Sequence, residues 1–484
     1  MAESKLEHKV AKGVAWSFSE KLLSMVVQMV VSIVVARQLA PADFGVMAIM
    51  TFFTSVALAI VDSGFSQTLI RKTNPTEEEY HSVLIFNIVV SLVLYGILTA
   101  AAYPIASLYD SPEIWTIAPV LFLVLPINSL CVVQTVMYTR EFRFALLSKI
   151  VFLASLISGA VAVIMAVMGC GIWSLVAQRL LMMGIKAIAF WSIRRWRTSA
   201  RFSFAVIKAM APFSLRLLAT DLIASIYNNV AQLFIGKINT STLGYYAQAQ
   251  KLKELPVTST VQAVQGVTFP ALSKIKEDSA KFAEGYLRIE RLLGFILFPI
   301  MLGFVAIAPD MFMLLLGEKW MPTVPYFEIL ALSGLFYPLA IVSYNVLKTK
   351  SDGKVIVRLE VIKRVIMTAV LCYTIPQSVE AIAWGMTAMA AVEFLLNTGV
   401  AMRYMDTRFT TLLRTISPSF IVASVMFGTL YLFIPYISML HIALRLGITA
   451  LMGGAIYLAL AWLFRLRALN ETISLLRGLL SKNG

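Results

Sequence analysis

The sequence predicts an all-α, polytopic membrane protein of about 14 transmembrane helices, two six-helix lobes followed by a C-terminal pair. Three observations carry this prediction. Apolar runs of about 20 residues, the length that crosses a bilayer as helix, recur along the whole chain. Only 14% of the 484 residues are charged and 59% are hydrophobic, with a mean hydropathy of +0.82; soluble domains carry about a quarter charged residues. The basic residues fall in short clusters between the apolar runs, on alternate sides of the predicted membrane.

Length and apolarity place the spans at 13–36, 44–70, 81–108, 114–138, 144–168, 171–193, 209–236, 243–271, 285–308, 323–347, 354–375, 379–402, 416–435 and 441–464. The first follows Lys5, Lys9 and Lys12 and mimics a secretory signal. Glu20, Lys21 and Gln28 interrupt it and it is too long for a signal core, so it is read as a retained helix. The eighth is polar enough to escape a hydropathy window. With the N-terminus inside, about 28 of the 41 Lys and Arg fall on the cytoplasmic side, including Arg71, Lys72, Arg140, Arg414, Arg465 and Arg467. Arg37, Lys237, Lys319 and Arg445 fall outside. Dropping one helix would scramble this alternation, so the number of spans is even and both termini are cytoplasmic.

Shorter signals punctuate the chain. Thr76 and Glu79 are spaced as a capping box, which makes Glu77, Glu78 and Glu79 helix-start chemistry. Arg194 to Arg201 is the longest basic linker, a topological anchor with scope for anionic-lipid contact. Residues 37–46, RQLAPADFGV, are mirrored at 236–245 by GKINTSTLGY; Tyr103-Pro104 corresponds to Ala308-Pro309, Pro126 to Pro338, and Trp173 to Trp384. Their shared order indicates a parallel repeat, with a binding cleft between the halves at the membrane midplane. The predicted organisation is an N-lobe at 1–193, a basic cytoplasmic linker at 194–208, a C-lobe at 209–402, and a helix pair with a cytoplasmic tail at 403–484.

Several function classes recede. A net charge of +15 spread over inter-helix clusters is topology rather than a nucleic-acid patch. Cys131, Cys170 and Cys372 show neither disulfide nor zinc spacing, and His8, His81 and His441 are too scattered for a metal site. No GxxxxGK[ST], HExxH or GxSxG motif stands out. The external connections, such as YDSPE at 109–113 and GCG at 169–171, are too short for a membrane polymerase or ligase site. An enzyme is therefore the less favoured class; no catalytic residue, metal or organic cofactor is assigned.

The stretch from Pro212 to Pro256 stands out for its polarity. Asp221, Ser225, Asn228 and Gln232 share one helical face, Arg216 precedes them, and Gln248, Lys251 and Lys253 lie in the eighth span ahead of Pro256, expected to break the helix. In the first span Glu20, Ser24 and Gln28 recur at intervals of four; the second carries Asp62 and Gln67. A charge at membrane depth costs about 2.5–3.5 kcal/mol on insertion scales, so such residues face a bundle interior or a wet cavity. Helix–helix contact is the plain reading; concentration of the polarity favours a substrate pathway. Arg216, Lys251, Lys253, Gln248, Asn228 and Gln28 are the candidate cavity residues, the cations suited to a phosphate or pyrophosphate. Glu20, Asp62 and Asp221 can pair with them or exchange protons or sodium. Arg179, Lys186, Arg291, Glu360, Lys363, Arg364 and Glu393 are left out, as groups that snorkel or pair within a turn.

The segments LGYYAQAQKLKELP at 243–256, FPALSKIKED at 269–278 and LGEKWMPTVPYFEILAL at 316–332 resemble the polysaccharide transporter family of Wzx-like lipid-linked oligosaccharide flippases. ARQLAPADFGVMAI at 36–49 and YTREFRFALLSKI at 138–150 are similar to it too, closest in flavour to colanic-acid and teichuronic-acid exporters. The resemblance implies the multidrug/oligosaccharidyl-lipid/polysaccharide (MOP) flippase fold, rocking between inward-open and outward-open states in a bacterial inner membrane. It also implies a polyprenyl-pyrophosphate-linked oligosaccharide as substrate, membrane lipids and polysaccharide-assembly machinery as partners, and a chain sufficient as a monomer. Two alternatives stand beside it: a MATE-type exporter of small cations, which an acidic cleft would favour, and a membrane glycan polymerase or ligase.

Overall fold

The computed structural model describes residues 23–62, 64–194, 196, 200–274, 278–351 and 353–481. Among these residues the chain is helical, without a strand. It divides into two compact units, residues 1–247 and 248–484. The first contains α1 (Leu23–Gln38), α2 (Pro41–Asp62), α3 (Phe65–Arg71), α4 (Glu77–Ala100), α5 (Ala102–Leu108), α6 (Glu113–Leu121), α7 (Val124–Arg140), α8 (Phe144–Val167), α9 (Trp173–Ile193) and α10 (Phe204–Ile238). α11 (Thr240–Lys274) begins in this unit and continues into the second. The second then holds α12 (Ser279–Leu315), α13 (Val324–Ser333), α14 (Tyr337–Lys350), α15 (Lys354–Thr374), α16 (Val379–Tyr404), α17 (Phe409–Phe433), α18 (Ile442–Leu463) and α19 (Arg467–Ser481).

Among the described residues eleven helical segments are long and apolar enough to span a membrane. The expected count of 14 is not reached on that criterion among the described residues, and for two of the three other spans the reason is compositional. α1 is described only from Leu23, α15 carries Lys354, Arg358, Glu360, Lys363 and Arg364, and α11 is 35 residues long but polar. Pro256 does not break α11 as expected. The hydroxyls of Thr258, Ser259 and Thr260 donate to the carbonyls of Glu254, Leu255 and Pro256 at 2.7–2.8 Å, occupying acceptors around the proline within a continuous helix.

Two other prolines interrupt their spans by a common mechanism. A proline ring clashes with the carbonyl four residues earlier and lacks an N–H. Pro126 follows a break at Phe122–Leu123 between α6 and α7, and Pro338 follows a break at 334–336 between α13 and α14. Pro309, by contrast, sits inside the unbroken 37-residue α12. The expected capping box is formed: Thr76 Oγ1 accepts from Glu79 N at 3.3 Å, and Glu79 Oε2 accepts from Thr76 N at 3.0 Å. The described part of the basic linker packs on this helix start: Trp196 Nε1 donates to Glu77 at 2.7 Å and Arg194 pairs with Glu141. Of the basic residues expected on the outer side, Lys237 lies 3.6 Å from the Asp110 carboxylate and Arg445 pairs with Asp310.

Lipid tails are as apolar as Leu, so helices in a bilayer associate through close packing and small residues. The tightest approach in the first unit joins the two segments that mirror each other in sequence. A Cβ on Gly45 of α2 would overlap the Thr240 carbonyl oxygen, and a Cβ on Gly244 of α11 would overlap that of Pro41. The contact is reciprocal, with each glycine set against the residue four before its counterpart. Gly45→Ala is expected to destabilise the protein by about 2 kcal/mol or more, because backbone must move. Gly428→Ala, with no heavy atom within 4 Å of the added carbon, should leave stability unchanged or raise it. Thermal unfolding of the two purified variants beside the wild type checks this.

Candidate functional site

In the first unit the site is built around a short platform. α2 ends at Asp62, the chain turns through Gly64 at φ 68°, and α3 begins. A Cβ on Gly64 would come within 2.7 Å of the Ser214 carbonyl oxygen, which fixes α3 tightly against α10. The hydroxyls of Thr68 and Ser214 bond across this contact at 2.8 Å. Arg140 of α7 holds the other end of α3. Its Nη1 donates to the carbonyls of Leu69 at 2.9 Å, Ile70 at 3.1 Å and Lys72, and its Nη2 to Thr73 at 2.7 Å. A cation at a helix C-terminus satisfies the carbonyls that the helix leaves open.

On this platform the structure brings together two expected residues. Ser66 donates to Asp62, and Asp221 of α10 lies close enough to repel the Asp62 carboxylate. Arg71 stacks over Phe213, 4.9 Å from the ring centroid, and Arg216 follows three residues later on α10. Asp62, Arg216, Asp221 and Asn228 are all exposed. Only 11% of the apolar window of α10 is buried, against 44% for α12. Exposed carboxylates and a guanidinium on a span-length helix fit an aqueous surface rather than lipid.

In the second unit, Lys253 of α11 donates to Ser333 Oγ at 3.3 Å, and that hydroxyl donates onward to Leu330 O at 2.6 Å. Lys251 is exposed. Gln248 is only 1% exposed, yet neither of its amide atoms has a hydrogen-bond partner among the described residues. A buried carboxamide without partners is costly, about 1–3 kcal/mol per group.

Not every candidate joins these surfaces. Gln28 Nε2 donates to Ser155 Oγ of α8 at 2.7 Å, a contact between neighbouring helices. Glu20 lies outside the described residues. Of the charges set aside in the sequence, Lys363 and Arg364 pair with Glu360 within α15, Glu393 feels both cations, and Arg291 pairs with Glu471 of α19.

One polar cluster has no counterpart in the sequence reading. Glu290 of α12 is wholly buried with no ion pair among the described residues. Ser343 of α14 donates to its Oε1 at 3.4 Å, and Tyr286 and Thr398 meet the same hydroxyl at 2.8 Å each. Glu290 Oε2 is unpartnered. The available signal was periodicity: Tyr286, Glu290, Leu293, Leu297 and Met301 form one buried stripe on α12. Among the described residues no three His, Cys, Asp or Glu side chains group to hold a metal.

Residues 34–325 match the family model described as polysaccharide biosynthesis protein. The chain is 24% identical over 348 residues to the teichuronic acid biosynthesis protein TuaB of Bacillus subtilis, covering 71% of each. It is 25% identical over 380 residues to the succinoglycan biosynthesis transport protein ExoT of Rhizobium meliloti, covering 78% of this chain and 76% of the relative. Its fold is similar to that of the lipid II flippase MurJ in an inward closed conformation, with TM-score 0.72 and 16% identity over 92% of this chain and 98% of MurJ. An outward-facing multidrug resistance MATE family transporter of the MOP superfamily is more distant, at TM-score 0.53 and 13% identity, covering 82% of this chain and 96% of the transporter.

Two expectations follow from this geometry. Asp62→Asn and Asp221→Asn should each relieve the same repulsion, so the double variant gains less than the sum, by about 0.5 kcal/mol at low salt. Melting curves of the four proteins measure that coupling, and salt should shrink it. Arg140→Ala should cost about 2 kcal/mol through loss of its fan of charge-assisted hydrogen bonds, read as a lower melting temperature.

Proposed function

The chain belongs to the polysaccharide biosynthesis protein family, and on that premise we propose that it flips a polyprenyl-pyrophosphate-linked oligosaccharide across the bacterial inner membrane. The observation that carries this reading is the exposed, mixed-charge face of a span-length helix, α10, whose Arg216, Asp221 and Asn228 stand where lipid-facing residues would be apolar. Relatives named for teichuronic acid biosynthesis and succinoglycan transport, and a fold like that of a lipid II flippase, support the same substrate class.

The mechanism then uses both signs of charge. Arg216, Lys251 and Lys253 attract the pyrophosphate, with arginine offering a planar fork and each lysine a mobile point charge. The oligosaccharide crosses along exposed polar side chains such as Asn228, while the polyprenyl tail stays in the bilayer. Two six-helix lobes, in a chain with both termini cytoplasmic, alternate access to that path. Outward movement of negative charge is downhill in an inside-negative potential by about 2.3 kcal/mol per charge per 100 mV. Asp62 and Asp221, whose carboxylates repel each other, are placed to accept a proton or sodium ion and couple the cycle to an ion gradient.

The test is a flipping assay in proteoliposomes with a fluorescent polyprenyl-pyrophosphate oligosaccharide. Wild type should flip it, and Arg216→Ala, Lys251→Ala and Lys253→Ala should each lose at least about tenfold while remaining folded, each change removing one or more charge-assisted contacts. Asp62→Asn with Asp221→Asn should flatten the dependence on pH or sodium. Wild-type protein that is inactive on such lipids but moves small organic cations would replace this reading with a drug exporter.

A further inference from the structure

The second unit holds a cavity of about 680 Å³ between α12, α17, α18 and the start of α19. Four arginines line it: Arg291, Arg414, Arg465 and Arg467, with Thr411, Thr415 and Ser419 among them. Arg291 is committed to Glu471. Arg414, Arg465 and Arg467 are exposed and make no ion pair or hydrogen bond through their side chains among the described residues. Three guanidinium groups therefore line one cavity with no ion-paired carboxylate among the described residues.

Much of the remaining lining is apolar. Pro418, Ile421, Val422 and Val425 of α17 form it, with Leu460 and Phe464 from the end of α18. A second cavity of about 330 Å³ follows along the same three helices, beginning at Met426 of α17 and Leu458 of α18 and reaching Gly303 of α12 and Gly453 of α18. Ile421 and Val425 are 58% and 50% exposed, so the apolar part of the first cavity forms a channel open at its side. The basic rim lies at the end of α17 and α18 that the charge distribution places on the cytoplasmic side.

A free anion would have no use for the apolar channel, and an apolar compound none for the arginines. An amphiphile with an anionic phosphate and a hydrocarbon chain uses both. We propose that this cavity binds an anionic glycerophospholipid of the inner leaflet. Arg414, Arg465 and Arg467 hold its phosphate through charge-assisted hydrogen bonds, and one acyl chain runs between α17 and α18. Binding there does not require that the chain move an oligosaccharide.

The test uses the purified full-length protein in detergent, delipidated and titrated with phosphatidylglycerol, phosphatidylcholine, inorganic phosphate or polyprenyl pyrophosphate. Phosphatidylglycerol should raise the melting temperature by about 3 °C or more at saturation, with the lipid retained in native mass spectra, and phosphatidylcholine and phosphate should not. Arg414→Gln/Arg465→Gln/Arg467→Gln should lose most of that shift. If the triple variant does not fold, Val425→Trp, which blocks the channel and leaves the charge intact, should lose it instead. Equal shifts with both phospholipids, a full shift in the folded variants, or a shift reproduced by phosphate would overturn the proposal. So would an arginine-dependent shift obtained with polyprenyl pyrophosphate alone.

Discussion

A polar side chain carried to membrane depth must meet another polar group or an aqueous surface, because hydrocarbon offers neither. That constraint sorts the polar residues of this chain into two populations. In one, the polarity is consumed locally: Gln28 meets Ser155, Glu360 takes Lys363 and Arg364, and Arg291 takes Glu471. In the other, the polar groups remain open, as on the exposed face of α10 and among the arginines beside α17 and α19. Only the second population is free to meet a ligand.

Packing follows from the same solvent. With no hydrophobic drive between helices in lipid, backbones must approach closely to gain dispersion energy, and glycine is the residue that permits it. Gly45 and Gly244 lock the starts of α2 and α11 reciprocally, and Gly64 admits α3 against α10. The second contact matters for the candidate site, because it sets Asp62 and Ser66 beside Asp221. Arg140 completes the arrangement by binding the carbonyls at the end of α3, so a residue counted for topology also holds the candidate surface in place.

Prolines show how far local rules reach. Pro126 and Pro338 break their helices at the carbonyl four residues back, as steric clash dictates. Pro256 does not break α11, whose neighbouring Thr and Ser hydroxyls take up carbonyls around it. Pro309 likewise stays within an unbroken α12, where no Ser or Thr follows it closely. A rule applied to proline alone misses both.

Hydropathy, the length of the apolar runs and the Thr76–Glu79 spacing determined the all-helical membrane class and one helix start, because these depend on composition and on contacts within a few residues, while the family was legible from the resemblance of whole segments. The polar face of α10 was legible for the same reason, since helical spacing is local. The tertiary structure alone decided which polar residues are consumed and which stay open. Gln28 and Asp62 look alike as polar interruptions of apolar helices, yet one bonds to α8 and the other faces Asp221 and water. The partners lie 127 and 159 residues away in sequence respectively, the latter being the separation of Asp62 from Asp221. No local pattern encodes a contact at that distance; only packing of the helices creates it.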